Sequence, residues 1–290
     1  MRQDIERVLK YLGDSSPVKD IHQISGGDIN QAFYVATAER EYFIKGNRNV
    51  PSHFFKAEAE GLRLIEETKT IAVPDVYYYD EPKQGETALL VLEWIDGTPE
   101  AHTGEVLGRK LAQMHTHQAE NYGFGHPTFV GKLDQPNVWK NTWLEYYRDC
   151  RLKEQLTIGV KKDTLPLSRQ RNLEWLLENL DRFIPETPSS SLLHGDLWGG
   201  NYITGSHGEP YLIDPSVLYG DPCFELAFTE LFGGFPDDFY KSYQEVTPLP
   251  SEYKELRPLY QLFYLLVHLN LFGETYGSPV DKILKRFTKI

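Results

Sequence analysis

The sequence predicts an α+β protein of two lobes, a small N-terminal lobe of antiparallel sheet plus helix and a larger, mostly helical C-terminal lobe. Three observations predict it. Short β-rich runs crowd into residues 21–93, and long patterns of helical period fill the chain after residue 103. Between them lies the turn-rich stretch Trp94-Ile95-Asp96-Gly97-Thr98-Pro99. The lobes are therefore expected over 1–95 and 96–290.

Each element follows from local pattern. Ile5, Val8, Leu9 and Leu12 recur at helical spacing until Gly13 stops them. Runs at 21–25, 32–37 and 42–45 read as strands parted by Gly, Asp, Asn or charged turns. A helix is expected over 52–68, and strands over 76–79 and 88–93. Beyond the hinge, helical periods cover 103–117, 137–157, 168–183, 221–231, 236–245, 252–272 and 279–288. Short strands at 191–193, 202–204 and 210–213 interrupt them.

Composition narrows the partners. The 290 residues carry 30 Lys and Arg against 42 Asp and Glu, a formal charge of −12, with no basic cluster to track a polyphosphate. Nucleic acid is excluded on that ground, and a cationic or amine-bearing small molecule fits better. Cys150 and Cys223 lie far apart with no C-x-x-C context, so neither a disulfide framework nor a zinc site is expected. The N-terminus lacks a signal-peptide core, and no apolar run reaches the ~20 residues that span a bilayer. A cytoplasmic protein with reduced thiols is the expectation, with no membrane partner.

The chemistry concentrates in residues 194–201, His-Gly-Asp-Leu-Trp-Gly-Gly-Asn, followed by the strand Tyr211-Leu212-Ile213 that ends in Asp214-Pro215. Asp196 and Asn201 stand at the spacing of the kinase catalytic loop, and Asp214 stands where a second carboxylate would hold the bridging metal. Hard Mg²⁺ prefers such oxygen ligands. Each residue alone could belong to a Gly-rich turn. An Asp and an Asn at this spacing, before a strand ending in Asp-Pro, are not explained that way. The expected roles are Asp196 as catalytic base and Asn201 and Asp214 as metal ligands. His194 is grouped with the substrate side, its main task being to orient the loop.

Lys45, in Tyr42-Phe43-Ile44-Lys45, would place its ammonium on the phosphates. Phe54, Glu58, Leu62 and Ile65 share one helix face, so Glu58 lies on the apolar stripe and needs a partner there, whereas Glu60 lies with Lys56, Arg63 and Glu67 on the wet face. Lys45 is that partner. Gly26, Gly27 and Asp28, between the first two strands, would let backbone N–H groups approach phosphates, although Gly-Gly is equally a good hairpin turn. Glu93, Trp94 and Ile95 are the expected adenine-binding hinge, where a plain linker would read the same. Trp139 and Trp143 are expected in the core, and Trp198 is expected to line the acceptor pocket.

At these residues the chain resembles the fructosamine kinase (ketosamine-3-kinase) family, relatives of the aminoglycoside phosphotransferases and choline kinases. The resemblance runs from Ser25-Gly26-Gly27-Asp28-Ile29-Asn30 and Glu58-Ala59-Glu60-Gly61-Leu62, through Leu111-Ala112-Gln113-Met114-His115, Gly123-Phe124-Gly125, Gln135-Pro136-Asn137 and Arg151-Leu152. It continues to His194–Asn201, Ile213-Asp214-Pro215, Tyr219-Gly220-Asp221, Glu225-Leu226-Ala227 and Glu230-Leu231-Phe232-Gly233-Gly234-Phe235. The pattern departs at Pro222-Cys223. The resemblance implies a protein-kinase-like fold, ATP and Mg²⁺ as cofactors, and phosphorylation of the 3-hydroxyl of a ketosamine. That sugar–amine adduct would be a small molecule or a glycated protein lysine, its phosphate then unstable, and the protein a monomer or weak homodimer. Two other readings stand beside it: a kinase of an aminoglycoside, choline or methylthioribose, and a non-catalytic nucleotide-binding scaffold.

Overall fold

The computed structural model describes residues 1–24 and 29–288. Its N-terminal part holds α1 (Arg2–Tyr11), a five-stranded antiparallel sheet and α2 (Phe54–Glu67). The strands are β1 (Asp20–Ile24), β2 (Gln31–Ala36), β3 (Glu41–Arg48), β4 (Val76–Tyr79) and β5 (Thr87–Glu93), in the order β1-β2-β3-β5-β4.

Strand alternation decides what each face meets. Leu89 and Val91 of β5, with Tyr42 and Ile44 of β3, pack on Ile5, Val8 and Leu9 of α1. The intervening Ala88, Leu90 and Leu92 turn toward Phe55, Ala59 and Leu62 of α2. Covered on both faces, β5 carries the unbroken apolar run Ala88-Leu89-Leu90-Val91-Leu92. The same alternation turns Lys45, paired with Leu90 in the ladder, away from α1 and toward α2.

Residues 94–102 carry no helix or strand. Beyond them come α3 (Thr103–Met114), a hairpin of β6 (Thr128–Val130) and β7 (Leu133–Gln135), and a long helix. That helix runs as α4 (Trp143–Tyr146), a π-helical turn (Tyr147–Leu152) and α5 (Lys153–Lys161). Then follow α6 (Leu167–Glu178), β8 (Ser191–Leu193), β9 (Tyr202–Thr204), β10 (Pro210–Leu212), β11 (Leu218–Gly220), α7 (Pro222–Thr229), α8 (Asp237–Val246), α9 (Tyr253–Phe272) and α10 (Gly277–Thr288). β9 pairs with β10 and β8 with β11, so two small antiparallel ladders frame the 194–217 segment. No described helix is long and apolar enough to cross a membrane.

Two expectations are corrected here. The helix expected from 137 begins at Trp143. Thr142 caps it, its hydroxyl accepting the Glu145 N–H at 3.1 Å. Upstream, the Asn137 side chain donates to the His126 carbonyl at 3.0 Å and accepts from Tyr146 at 2.6 Å and Arg151 at 2.9 Å. Those bonds hold the 137–142 segment out of the helix. Trp139, on that segment, is therefore not core but 43% exposed, its ring 5.9 Å from that of Tyr219. Trp143, inside the helix, is fully buried, and its indole N–H donates to Tyr260.

Candidate active site

Lys45, Glu58, Asp196, Trp198, Asn201 and Asp214 line one cavity of about 480 Å³. Lys45 reaches it from β3, Glu58 from α2, and the others from the loops after β8 and β10. The Lys45 ammonium donates to Glu58 Oε1 at 2.7 Å and also contacts Asp214 Oδ1. Burial alone would lower the pKa of Lys45; Asp214 and Glu58 outweigh it and hold the amine protonated. Burial pushes the Glu58 carboxyl up, to about 7, against the pull of Lys45. Glu60 lies off this cluster, partly exposed and 2.8 Å from His126.

The loop after β8 turns on Gly195. Its φ is +84°, and a Cβ there would lie 2.0 Å from the Ser216 carbonyl oxygen, so only glycine fits. Asn201 Nδ2 donates to the Asp196 carbonyl at 2.7 Å and to Asp196 Oδ2 at 3.3 Å. That orientation leaves Asn201 Oδ1 as the amide's acceptor. Asp214 sits at φ +58°, a left-handed conformation that costs a non-glycine residue about 1–2 kcal/mol. Such strain collects at functional sites, where the surroundings hold it in place. Burial first, then the Asp214 charge, push the Asp196 carboxyl well above the ordinary carboxylate value. A carboxyl with raised proton affinity, two hard oxygen donors and a buried ammonium can together handle a hydroxyl proton, a divalent cation and a polyphosphate.

The His194 side chain is fully buried and off the cavity wall, and its bonds are those of the loop-orienting task expected of it. Its Nε2 lies 2.8 Å from the Ile213 carbonyl, which can only accept, so Nε2 carries the proton. Nδ1 then accepts from the Asp196 backbone N–H at 3.3 Å. Burial keeps the ring neutral, its pKa below the usual value. His194 thus ties the Asp196 turn to the strand end that delivers Asp214.

Gly26, Gly27 and Asp28 are outside the described residues. Glu93, Trp94 and Ile95 are not on the cavity wall. Glu93 is tied to Asp75, its N–H donating to that carbonyl at 2.9 Å, and the Trp94 ring packs edge-on against Tyr34. Among the described residues nothing hydrogen-bonds the Ile95 N–H. Trp198 is 42% exposed, folded over Gly200, where a Cβ would lie 2.4 Å from the indole.

Sequence reasoning assigned no role to Glu225, which is fully buried on α7. It accepts the backbone N–H groups of His194 at 2.8 Å and Gly195 at 3.1 Å, and it lies 3.1 Å from His115 Nε2. The signal was present: one charge in the apolar run Cys223-Phe224-Glu225-Leu226-Ala227-Phe228. Pro222 opens α7 at its first position, behind Asp221, whose carboxylate accepts the Cys223 N–H at 2.9 Å. The departure at Pro222-Cys223 leaves the carboxylate on the loop in place.

Known proteins resemble this chain along nearly its whole length. The family model for fructosamine kinase matches residues 1–289. A probable ketoamine kinase from Enterococcus faecium is 36% identical over 285 residues, 98% of this chain and all of its own length. The crystal structure of a candidate fructosamine-3-kinase from Haemophilus somnus has a TM-score of 0.86 at 27% identity, covering 99% of this chain and 97% of that one. An aminoglycoside phosphotransferase, APH(4)-Ia, solved with AMP-PNP and hygromycin B, has a TM-score of 0.65 at 17% identity, with 99% of both chains covered. That last likeness shows the protein-kinase-like fold alone. On the match of nearly its whole length, the chain belongs to the fructosamine kinase family.

Proposed function

We propose that this protein transfers the γ-phosphoryl group of ATP to the 3-hydroxyl of a ketosamine. The observation that carries the reading is the Lys45 ammonium held between Glu58 and Asp214, on a cavity that Asp196 and Asn201 also line. The membership in the fructosamine kinase family and the named ketoamine kinases among its relatives support the substrate class.

In this reading Lys45 steadies the phosphates and Glu58 keeps it aimed. Asp196 orients the sugar hydroxyl and accepts its proton as the phosphoryl group departs from the nucleotide. Its raised proton affinity suits a base that must take a proton from an alcohol. Asn201 Oδ1 and Asp214 would hold Mg²⁺; the donor set is all hard oxygen, and the Asn201 amide nitrogen is already committed to the Asp196 carbonyl, which leaves the oxygen as its ligand atom. When bound, that cation neutralises charge on the polyphosphate. Residues 1–95 then form the nucleotide lobe, with the backbone at 93–95 facing adenine, and 96–290 the catalytic lobe. Phosphorylation would make the sugar adduct unstable and release the amine, a repair of glycated amines.

Incubation with ATP, Mg²⁺ and ribulosyl-lysine tests this. The expected product carries one added phosphoryl group by mass. Phosphorylation of choline or an aminoglycoside, with none of ribulosyl- or fructosyl-lysine, would replace this reading by another small-molecule kinase. ATP binding with no phosphorylated acceptor would leave the scaffold.

A further inference from the structure

The same cavity has a second set of lining residues, Phe232, His268, Phe272 and Tyr276, beyond α7 and around the end of α9. Their rings nest around His268. The centroids lie 4.8 Å away for Phe232, 5.0 Å for Tyr276 and 5.7 Å for Phe272. Phe232 is 43% and Phe272 50% exposed, so part of each side chain remains uncovered. The turn that carries Tyr276 is fastened from behind. Arg169, almost fully buried, donates to Glu274 at 3.0 and 3.1 Å and to Asp281 at 2.8 and 3.0 Å.

His268 adds one polar atom to this box. Its Nδ1 lies 2.7 Å from the Tyr264 carbonyl, which can only accept, so Nδ1 carries the proton. Burial lowers the imidazole's pKa and keeps the ring neutral. Nε2 is then a lone-pair acceptor, and no hydrogen bond among the described residues uses it. The charged side chains on the cavity wall are Lys45, Glu58, Asp196 and Asp214 among the described residues, and three of these are already joined to one another. A cation entering the box meets ring faces and one nitrogen acceptor. Ring faces attract cations, most strongly once water is removed.

We infer that this aromatic box receives the protonated secondary amine of the ketosamine, with Phe232 and Tyr276 as ring faces and His268 Nε2 accepting one of its N–H bonds. The inference rests on the ketosamine reading above. In such an adduct the nitrogen sits on the carbon next to the carbonyl, and the reacting hydroxyl is on the carbon across it. Nitrogen and hydroxyl must therefore enter together, one at the box and one at Asp196. The box would be what separates an amine adduct from a plain ketose.

The test compares ribulosyl-lysine with its ether analogue, in which oxygen replaces the nitrogen. The wild-type protein is expected to prefer the amine by about ten-fold in kcat/KM. His268→Phe keeps a ring and removes the acceptor; Phe232→Leu and Tyr276→Leu remove a ring face. Each is expected to shrink the preference for the amine to about two-fold. An undiminished preference in all three variants overturns the inference, and so does an equal loss on both substrates, which marks a merely structural role. A wild-type protein that turns over amine and ether equally also overturns it while leaving the ketosamine reading intact. Turnover of neither substrate overturns the ketosamine reading itself.

Discussion

Glu225 accepts the backbone N–H of His194 at 2.8 Å, gripping the turn that carries Asp196 by its main chain. Gly195 donates to the same carboxylate at 3.1 Å, and His115, just past the end of α3 and itself 2.7 Å from the Tyr243 hydroxyl, closes the group. Glu225→Ala leaves these buried donors unpaired. The expected cost is about 2–4 kcal/mol in urea unfolding, since each unsatisfied buried group costs roughly 1–3 kcal/mol. Glu225→Gln keeps an acceptor oxygen and should cost less. Turnover should fall in both, in the same order, because Asp196 directly follows Gly195.

The same carboxylate predicts a pH dependence. Burial by itself would raise the pKa of Glu225, but the hydrogen bond and charge of His115 outweigh it and hold the group below the usual Glu value. A group held low in the folded state contributes fully above its unfolded value of about 4.3 and loses that contribution as pH falls through the folded value. Wild-type stability should therefore drop more steeply between about pH 5 and pH 3 than that of Glu225→Gln. Parallel curves from urea titrations across that window would show that Glu225 is not the group responsible.

Lys45 is the cation between two carboxylates. Lys45→Met leaves Glu58 buried and uncompensated, with an expected loss of about 3 kcal/mol, the lower end for a broken buried pair. The lower end applies because the Asp214 side chain is 43% exposed and water screens its share. Adding Glu58→Leu should return part of that stability while turnover stays lost. Thermal unfolding of the single and double variants measures the first effect, and phosphoryl transfer the second.

Gly200 controls where Trp198 lies. A Cβ at this position would come within 2.4 Å of the indole ring, so Gly200→Ala must displace it. The acceptor KM should rise about ten-fold, in keeping with the cost of small misplacements, while the KM for ATP stays within about two-fold. An equal rise in both constants would remove Trp198 from the acceptor side.

Much of the N-terminal lobe is legible because its residues repeat their burial along each element. The stripe Phe54, Glu58, Leu62 and Ile65 predicts the face of α2, and strand alternation predicts that Lys45 turns toward it. The hairpin of β6 and β7 was not legible: three residues show no period, and unlike β8, β9 and β10, equally short, these strands do not lead into or out of the Asp196-to-Asp214 motif. β11 escaped for the same reason. Trp139 and Trp143 share helical spacing, and only the tertiary bonds of Asn137 decide that one of them lies outside the helix. His194 shows the limit of a motif. Its spacing places it beside Asp196, but burial and the Ile213 carbonyl turn it inward. Glu225 was visible as a lone charge in an apolar run, though its partners are main-chain groups some thirty residues away that no side-chain pattern marks.

In the proposed reaction Asp196 accepts the proton of the substrate hydroxyl while Lys45, Asn201 and Asp214 attend to the nucleotide. Asp196→Asn removes that base and leaves the rest of the wall in place. The most direct measurement is calorimetric binding of ATP with Mg²⁺ alongside phosphoryl transfer to ribulosyl-lysine, on this variant and on the wild-type protein. Nucleotide affinity within about three-fold of wild type, with turnover reduced at least about a thousand-fold, is the predicted result. Turnover near the wild-type rate in the variant would contradict it.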